Sequence, residues 1–326
     1  MLFRDSPWPA PLAALLLAVA PFALLPAAGP HDAIRATPVP LDPHDPGRRR
    51  IGRLRYLGGW QLTSADLRFG GLSALGAWDG RLVAVADTGM RFAFRIDGRG
   101  RIDRVEAAAL PAPAGGSLRK RDRDSEALAS DPATGRAWVA FEVTNRIRRY
   151  APGFARVEAQ AEPPAMAMWT PNNGPEAMVR LHDGRFLVIS EAAQRGSPDN
   201  PGLLFAGDPT DPRTPPPVAF GYRPPPRFLV TEAAELPDGR LLLLQRRLTL
   251  TDGIGAVVSL LDPRAIRPGA RLRGEEVARL APPLNVDNME GMTVTQEGGR
   301  TIVWLLSDDN FLPVERTLLF KFAFEG

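Results

Sequence analysis

One hairpin, repeated along the chain, limits what this sequence can become. In its clearest copy, Gly174 to Glu191 (GPEAMVRLHDGRFLVISE), a glutamate opens a short apolar strand, followed by an Asp-Gly turn and a second apolar strand ending on an acid. Asp183-Gly184 between two apolar runs is a strong hairpin signal, because glycine adopts the left-handed backbone of such turns without strain. The unit recurs from Gly71 to Asp87, Ser125 to Glu142, Thr231 to Gln245 and Met289 to Asp308. Aligned on Gly71, Glu126, Glu176, Glu232 and Glu290, the copies follow at intervals of about 50 to 60 residues, the signature of a propeller-like repeat.

A third apolar strand follows each hairpin, as in Phe92 to Ile96 and Arg146 to Tyr150, and fourth strands are expected at 104–108, 156–160 and 276–280. The fold class is therefore all-β, a β-propeller of four-stranded blades, with five blades expected and six as the alternative. Ile51 to Leu62 reads as a strand with no blade of its own, and Thr317 to Phe322 as a strand with no following partner. Pairing them completes the last blade and leaves no exposed sheet edge, so the ring is expected to close by strands from both ends. The long stretch Gln194 to Arg227 carries Pro215 to Pro217 and Pro224 to Pro226. Proline cannot donate to a ladder, so this stretch reads as an insertion on one face.

Ahead of the propeller, residues 1–29 read as a signal peptide or N-terminal anchor. Arg4 precedes the apolar Leu12 to Leu25, and small residues follow at Ala27-Ala28. Residues 30–50, rich in Pro, Asp and Arg, read as a linker, and 51–326 as a single propeller domain. A periplasmic or secreted protein is expected, in contact with a membrane only through an uncleaved N-terminal segment.

Composition narrows the chemistry. With no cysteine and three histidines, thiolate nucleophiles, disulfides and Cys-based zinc sites are excluded, and a Ser-His-Asp triad is hard to assemble. A net charge of +3 gives no sign of a nucleic-acid surface. Strand order, by contrast, gathers carboxylates. Loops entering each first strand and joining second to third strands share one rim of a propeller. Glu126, Glu176, Glu232 and Glu290 are thereby placed around one mouth of the channel, joined by Asp87, Glu191 and Asp308 as candidate metal ligands. Arg91, Lys120, Arg123 and Arg246 are expected on the same rim as substrate-binding cations, and Arg146 and Arg195 as catalytic partners of Glu126 and Glu176. Converging carboxylates repel one another unless a cation compensates them, and oxygen-only ligands suit calcium, with magnesium as the alternative. Each glutamate also has a plainer reading, in which it caps loop amides or pairs with a neighbouring arginine. Ser73 and Ser125 have no histidine in register and are not read as nucleophiles.

The elements Asp124-Ser125-Glu126-Ala127-Leu128, Gly174-Pro175-Glu176-Ala177-Met178 and Asn288-Met289-Glu290-Gly291-Met292 resemble the bacterial phytase-like family, described as having esterase-like activity of phytase. The first repeat departs from that pattern, with Gly70-Gly71-Leu72-Ser73 where the others carry a glutamate. The resemblance implies an exported propeller and, by analogy with calcium-dependent alkaline phytases, hydrolysis of phosphomonoesters. Two expectations follow. One is a metal-dependent ester hydrolase acting as a monomer on a small, phosphorylated ester, with a carboxylic ester as its variant. The other is a non-catalytic binding propeller of the cell envelope, in which a metal or ion pairs only tighten the ring.

Overall fold

Paired apolar strands dominate the chain, and their ladders build five small sheets. The computed structural model describes residues 34–113, 119–194, 196–249 and 252–326. Three strands come first: β1 (Ile34–Pro38), β2 (Arg50–Ile51) and β3 (Leu54–Ser64). Blade 1 is β4 (Leu72–Trp78), β5 (Arg81–Ala86), β6 (Met90–Ile96) and β7 (Ile102–Ala109). Blade 2 is β8 (Ser125–Asp131), β9 (Arg136–Phe141), β10 (Arg146–Tyr150) and β11 (Val157–Ala161). Blade 3 is β12 (Pro175–Arg180), β13 (Phe186–Ser190), β14 (Asn200–Phe205) and β15 (Val218–Tyr222). Blade 4 contains β16 (Leu229–Glu235), β17 (Leu241–Thr249) and β18 (Gly253–Leu261). The short β19 (Arg271–Leu272) then pairs in parallel with β15 of the preceding blade, before β20 (Glu275–Leu280) completes blade 4. Blade 5 is β21 (Asn288–Glu297), β22 (Arg300–Asp308) and β23 (Leu318–Phe324), finished by β3 from the other end of the chain. Leu319 lies opposite Trp60 and Phe324 opposite Leu54 in that closing ladder.

The inner strands β4, β8, β12, β16 and β21 follow one another around the ring, and β21 returns to β4. Each gap between neighbouring blades holds its own apolar cluster. Between blades 2 and 3, for example, Trp138 and Phe186 meet edge to face with centroids 4.9 Å apart. Each large apolar side chain buried this way contributes roughly 1.5–3 kcal/mol, so the blades are held mainly face to face, since no ladder joins the five sheets through their inner strands.

Five blades and closure by both ends stand as the sequence predicts. Two other expectations change. Residues 194–227 are not an insertion on one face: besides the expected third strand, β14, they supply β15, the fourth strand of blade 3. The prolines flank these strands instead of interrupting them, Pro215 to Pro217 before β15 and Pro224 to Pro226 after it. The stretch expected as a linker also joins the fold, since β1 pairs with β3 from Ile34 opposite Ser64 to Pro38 opposite Trp60. Leu41, just beyond it, is fully buried. The signal-like residues 1–29 lie outside the described residues.

The antiparallel order gives the ring two rims. Connections into β4, β8, β12, β16 and β21, and those from second to third strands, open on a mouth rim. Asp79-Gly80, Asp183-Gly184 and Asp238-Gly239 turn the chain on the opposite, turn rim. No helix among the described residues is long and apolar enough to cross a membrane.

Candidate active site

In all five inner strands the ladder skips one residue at the mouth end. The skipped residues are Ser73, Glu126, Glu176, Thr231 and Glu290. A bulge of this kind bends the strand and re-aims one side chain. Here it builds an inner tier of three glutamates and two hydroxyls.

The second strands supply an outer tier. The residue after the pairs Leu72–Ala86, Ser125–Phe141, Pro175–Ser190, Val230–Gln245 and Met289–Ser307 is Asp87, Glu142, Glu191, Arg246 and Asp308 in turn. Four blades thus present an acid at this position and blade 4 presents an arginine. Arg246 reaches both neighbours' acids, 2.9 Å from Glu191 and 3.1 Å from Glu290.

Where the inner tier lacks a glutamate, a hydroxyl ties one blade to the next. Ser73 Oγ donates to the Ser125 carbonyl at 2.5 Å, and Thr231 Oγ1 to that of Met289 at 3.3 Å. Ser125 Oγ donates back to the Ala86 carbonyl at 2.6 Å. These serines bond one blade to the next.

The carboxylates crowd. Oxygens of Glu142, Glu176 and Glu191 lie within 4.8 Å of one another, as do those of Asp124, Glu126 and Glu142. Close approach at Gly174 permits this, since a side chain there would run into Glu142 at under 3 Å. Asn200 Nδ2 donates to the carbonyls of Ser190 and Glu191, at 2.9 and 2.6 Å, and fixes that strand end. Burial, followed by repulsion from Glu126, Glu191, Glu142 and Glu290, raises the Glu176 pKa well above the usual carboxylate range. Glu126 shifts the same way, through burial and then Glu290 and Glu142. Burial with Glu191 and Asp124 pushes Glu142 up to about 7, and burial with Glu290 and Asp87 pushes Asp308 up to about 8. Burial also raises Glu191 and Glu290, with Arg246 opposing both.

This donor set fits a hard cation. Buried carboxylate oxygens at such spacing would each regain a compensating charge from one ion, and nothing softer than oxygen is on offer. Glu142, Glu176 and Glu191 are the residues that would hold it, with Asp124 and Glu126 as the adjoining set.

The remaining expected residues divide. Lys120 lies on the mouth rim, 3.5 Å from Asp87. Burial lowers its pKa, but Asp87, Asp124 and Glu126 outweigh this and raise it. Arg123 packs against the Gly89 turn. Two arginines are committed elsewhere: Arg91 pairs with Glu106 across its own blade and stacks over Phe154, while Arg146 is held by Glu162 at 3.0 Å. Arg195 lies outside the described residues. Glu232 sits one residue beyond the bulge, 1% exposed, and its carboxylate accepts the Ala233 amide at 3.0 Å. Burial raises its pKa strongly, against the backbone amides of Ala233, Leu75 and Met178. It belongs below the ring, where it faces amides of blades 1, 3 and 4, and Thr231 takes the ring position.

Asp124 and Glu142 were not among the residues singled out as ligands. For Glu142 the signal was present, because it ends a second strand as Asp87 and Glu191 do. Asp124 was masked by its setting in the basic run before Glu126.

A family model described as phytase-like, with esterase-like activity of phytase, matches residues 67–311. The chain belongs to that family. The matched residues cover all but the closing strands of the propeller, including both carboxylate tiers. No curated protein matches in sequence. Among solved structures, the chain is similar to the major Malassezia sympodialis allergen Mala s 1, at 12% identity and a TM-score of 0.45, covering 84% of this chain and 91% of that one. It is similar to a chain of a nidogen–laminin complex at 10% identity and 0.39, covering 78% and 86%. Kuenenia stuttgartiensis hydrazine synthase aligns at 12% and 0.37 over 75% of this chain, which spans 58% of the synthase chain. Likeness at this level carries nothing about activity.

Proposed function

We propose that this member of the phytase-like family is an exported, metal-dependent ester hydrolase, acting foremost on phosphomonoesters at the carboxylate mouth. The observation behind the reading is the pair of three-carboxylate groups, Asp124–Glu126–Glu142 and Glu142–Glu176–Glu191, in a chain with few alternatives for chemistry. A calcium or magnesium ion held there would polarise the phosphoryl oxygens and acidify a water. The residues do the rest. Arg246 anchors Glu191 and Glu290 and favours their ionised form. Lys120, cationic and 72% exposed at the rim, meets the anionic ester. Asp308 lies outside both three-carboxylate groups, and burial beside Glu290 and Asp87 favours its protonated form. As water oxygen bonds to phosphorus and the ester P–O bond breaks, that proton can pass to the departing alcohol. The substrate is a small-molecule ester, with no nucleic acid involved. The protein acts as a monomer in the periplasm or outside the cell.

A carboxylic ester is the second reading, favoured by the commitment of Arg91 and Arg146 to Glu106 and Glu162. Those ion pairs leave fewer cations to grip a phosphate. The test is hydrolysis of p-nitrophenyl phosphate and p-nitrophenyl acetate, each with calcium and with chelator. Calcium-dependent release from the phosphate is expected. Release from the acetate alone selects the second reading, and release from neither leaves a non-catalytic binding propeller.

A further inference from the structure

The large hydrophobic side chains left exposed are not scattered. Among the described residues they are Leu67, Met168, Leu248, Phe311, Leu312 and Val314. Leu67 precedes β4 and Met168 precedes β12; Leu248 ends β17, and the other three join β22 to β23. Every one of these positions is on the mouth rim. Leu67, Met168 and Val314 are 85–89% exposed, far beyond what packing within the fold requires. Phe311 stands over the chain at Gly70-Gly71, where an added Cβ would strike its ring at under 3 Å. It is held in left-handed backbone, φ 54°, beside Asn310 at φ 46°. That conformation is unfavourable for a bulky residue, and its ring nonetheless stays 46% exposed.

Single exposed apolar residues need no explanation, but a set confined to one face does. The turn rim shows the contrast, its tips carrying Asp-Arg pairs such as Asp183–Arg185 and Asp238–Arg240. Interleaved with the apolar tips are exposed cations: Arg121 beside blade 2, Lys120, which reaches Asp87 from one side, and Arg227 before blade 4, which pairs with Asp252. The acids around the channel, Glu142, Glu176, Glu191, Glu290 and Asp308, are buried, while Glu162 on the same rim is exposed and held by Arg146.

We propose that the mouth rim docks on a lipid surface carrying anionic headgroups. The apolar tips enter the headgroup boundary, the cations meet the anionic groups, and the carboxylate mouth faces the surface. Apolar burial and basic charge together are what reversible membrane binding needs, and no spanning helix is involved. This inference stands apart from the proposed reaction, because vesicle binding is read without any turnover.

The test is co-sedimentation of the full chain with vesicles of phosphatidylcholine alone and of phosphatidylcholine with phosphatidylglycerol, in chelator so that no bridging cation contributes. Binding to the anionic vesicles is expected, weaker on the neutral ones and weakened by salt. Leu67→Asp and Val314→Asp should each lower partition about tenfold, the loss of one buried apolar side chain. Asp238→Ala on the turn rim should leave it unchanged. Both rim sites are exposed, so melting curves like that of the parent chain establish that the variants fold. Absence of binding, binding without preference for anionic lipid, or rim variants that bind as the parent does would each overturn the proposal.

Discussion

The two rims of the propeller are made from the same hairpins and solve opposite electrostatic problems. On the turn rim several aspartates have their own arginine two residues away, as in Asp183–Arg185 at 2.7 Å and Asp262–Arg264 at 2.8 Å. Those charges are solvated, and their aspartates titrate below the usual range, Asp211 at about 2, through hydrogen bonds from the neighbouring arginine. The acids that ring the channel at the mouth come from different blades, are buried, and titrate above it. A neutralised turn serves folding. A ring of buried acids that only Arg246 and Lys120 compensate costs stability.

The difference can be broken most strongly at Glu176. Glu176→Gln should lower chelator-sensitive hydrolysis by at least about a hundredfold, the upper end of what even outer-sphere partners of a metal contribute. The same change should leave the metal-free melting temperature unchanged or higher, since a glutamine needs no proton to sit among buried acids. A melting temperature that falls would refute the repulsion at the heart of the comparison.

Calcium and pH give the next largest effects. At a concentration one hundred times its dissociation constant, an ion binding only the folded chain adds about 2.7 kcal/mol of stability, read as a rise in melting temperature. Without the ion, the mouth acids bind protons more tightly folded than unfolded. Their contribution is full below the ordinary 4.5 of a glutamate and 3.8 of an aspartate, and is lost as pH rises through about 7 for Glu142 and about 8 for Asp308. The turn-rim aspartates run the other way, contributing above 3.8 and losing it as pH falls towards about 2 at Asp211. Melting curves should therefore weaken at both ends of the pH scale, and added calcium should restore the alkaline end alone.

Smaller effects test the seams and the turns. Ser73→Ala removes the donor to the Ser125 carbonyl and should cost about 1–2 kcal/mol in denaturant unfolding, with a buried acceptor left unpaired. Asp238→Ala should stay within about 0.5 kcal/mol, as exposed pairs usually do. A larger loss there would mean that the turn rim is less independent than its local pairing implies.

Much of the fold was open to reading because each hairpin carries its own turn signal and its own apolar strands. The bulge was not. Matching residues by identity aligns Glu232 with Glu126, Glu176 and Glu290, whereas hydrogen-bond register aligns Thr231. A one-residue slip at a bulge moves a side chain to a different environment, and no local pattern records it. The arginines failed for a related reason. Arg91 and Arg146 have the right position along the chain, but Glu106 and Glu162 stand across the ladder to claim them. Strand β1 escaped notice because five residues ending in proline carry too little alternation to read.

Closure by β3 against β23 also sets an order in time. Arg53 and Glu325, 272 residues apart, bond to each other in the closing sheet. Until the last strand is synthesised, β22 presents an unpaired edge and β3 has its strand neighbours on one side only. Four blades can form behind it, yet the circle of inner strands is held shut by a segment that arrives at the end. Loss of the final seven-residue strand should therefore yield an open, adhesive chain rather than a slightly weakened one.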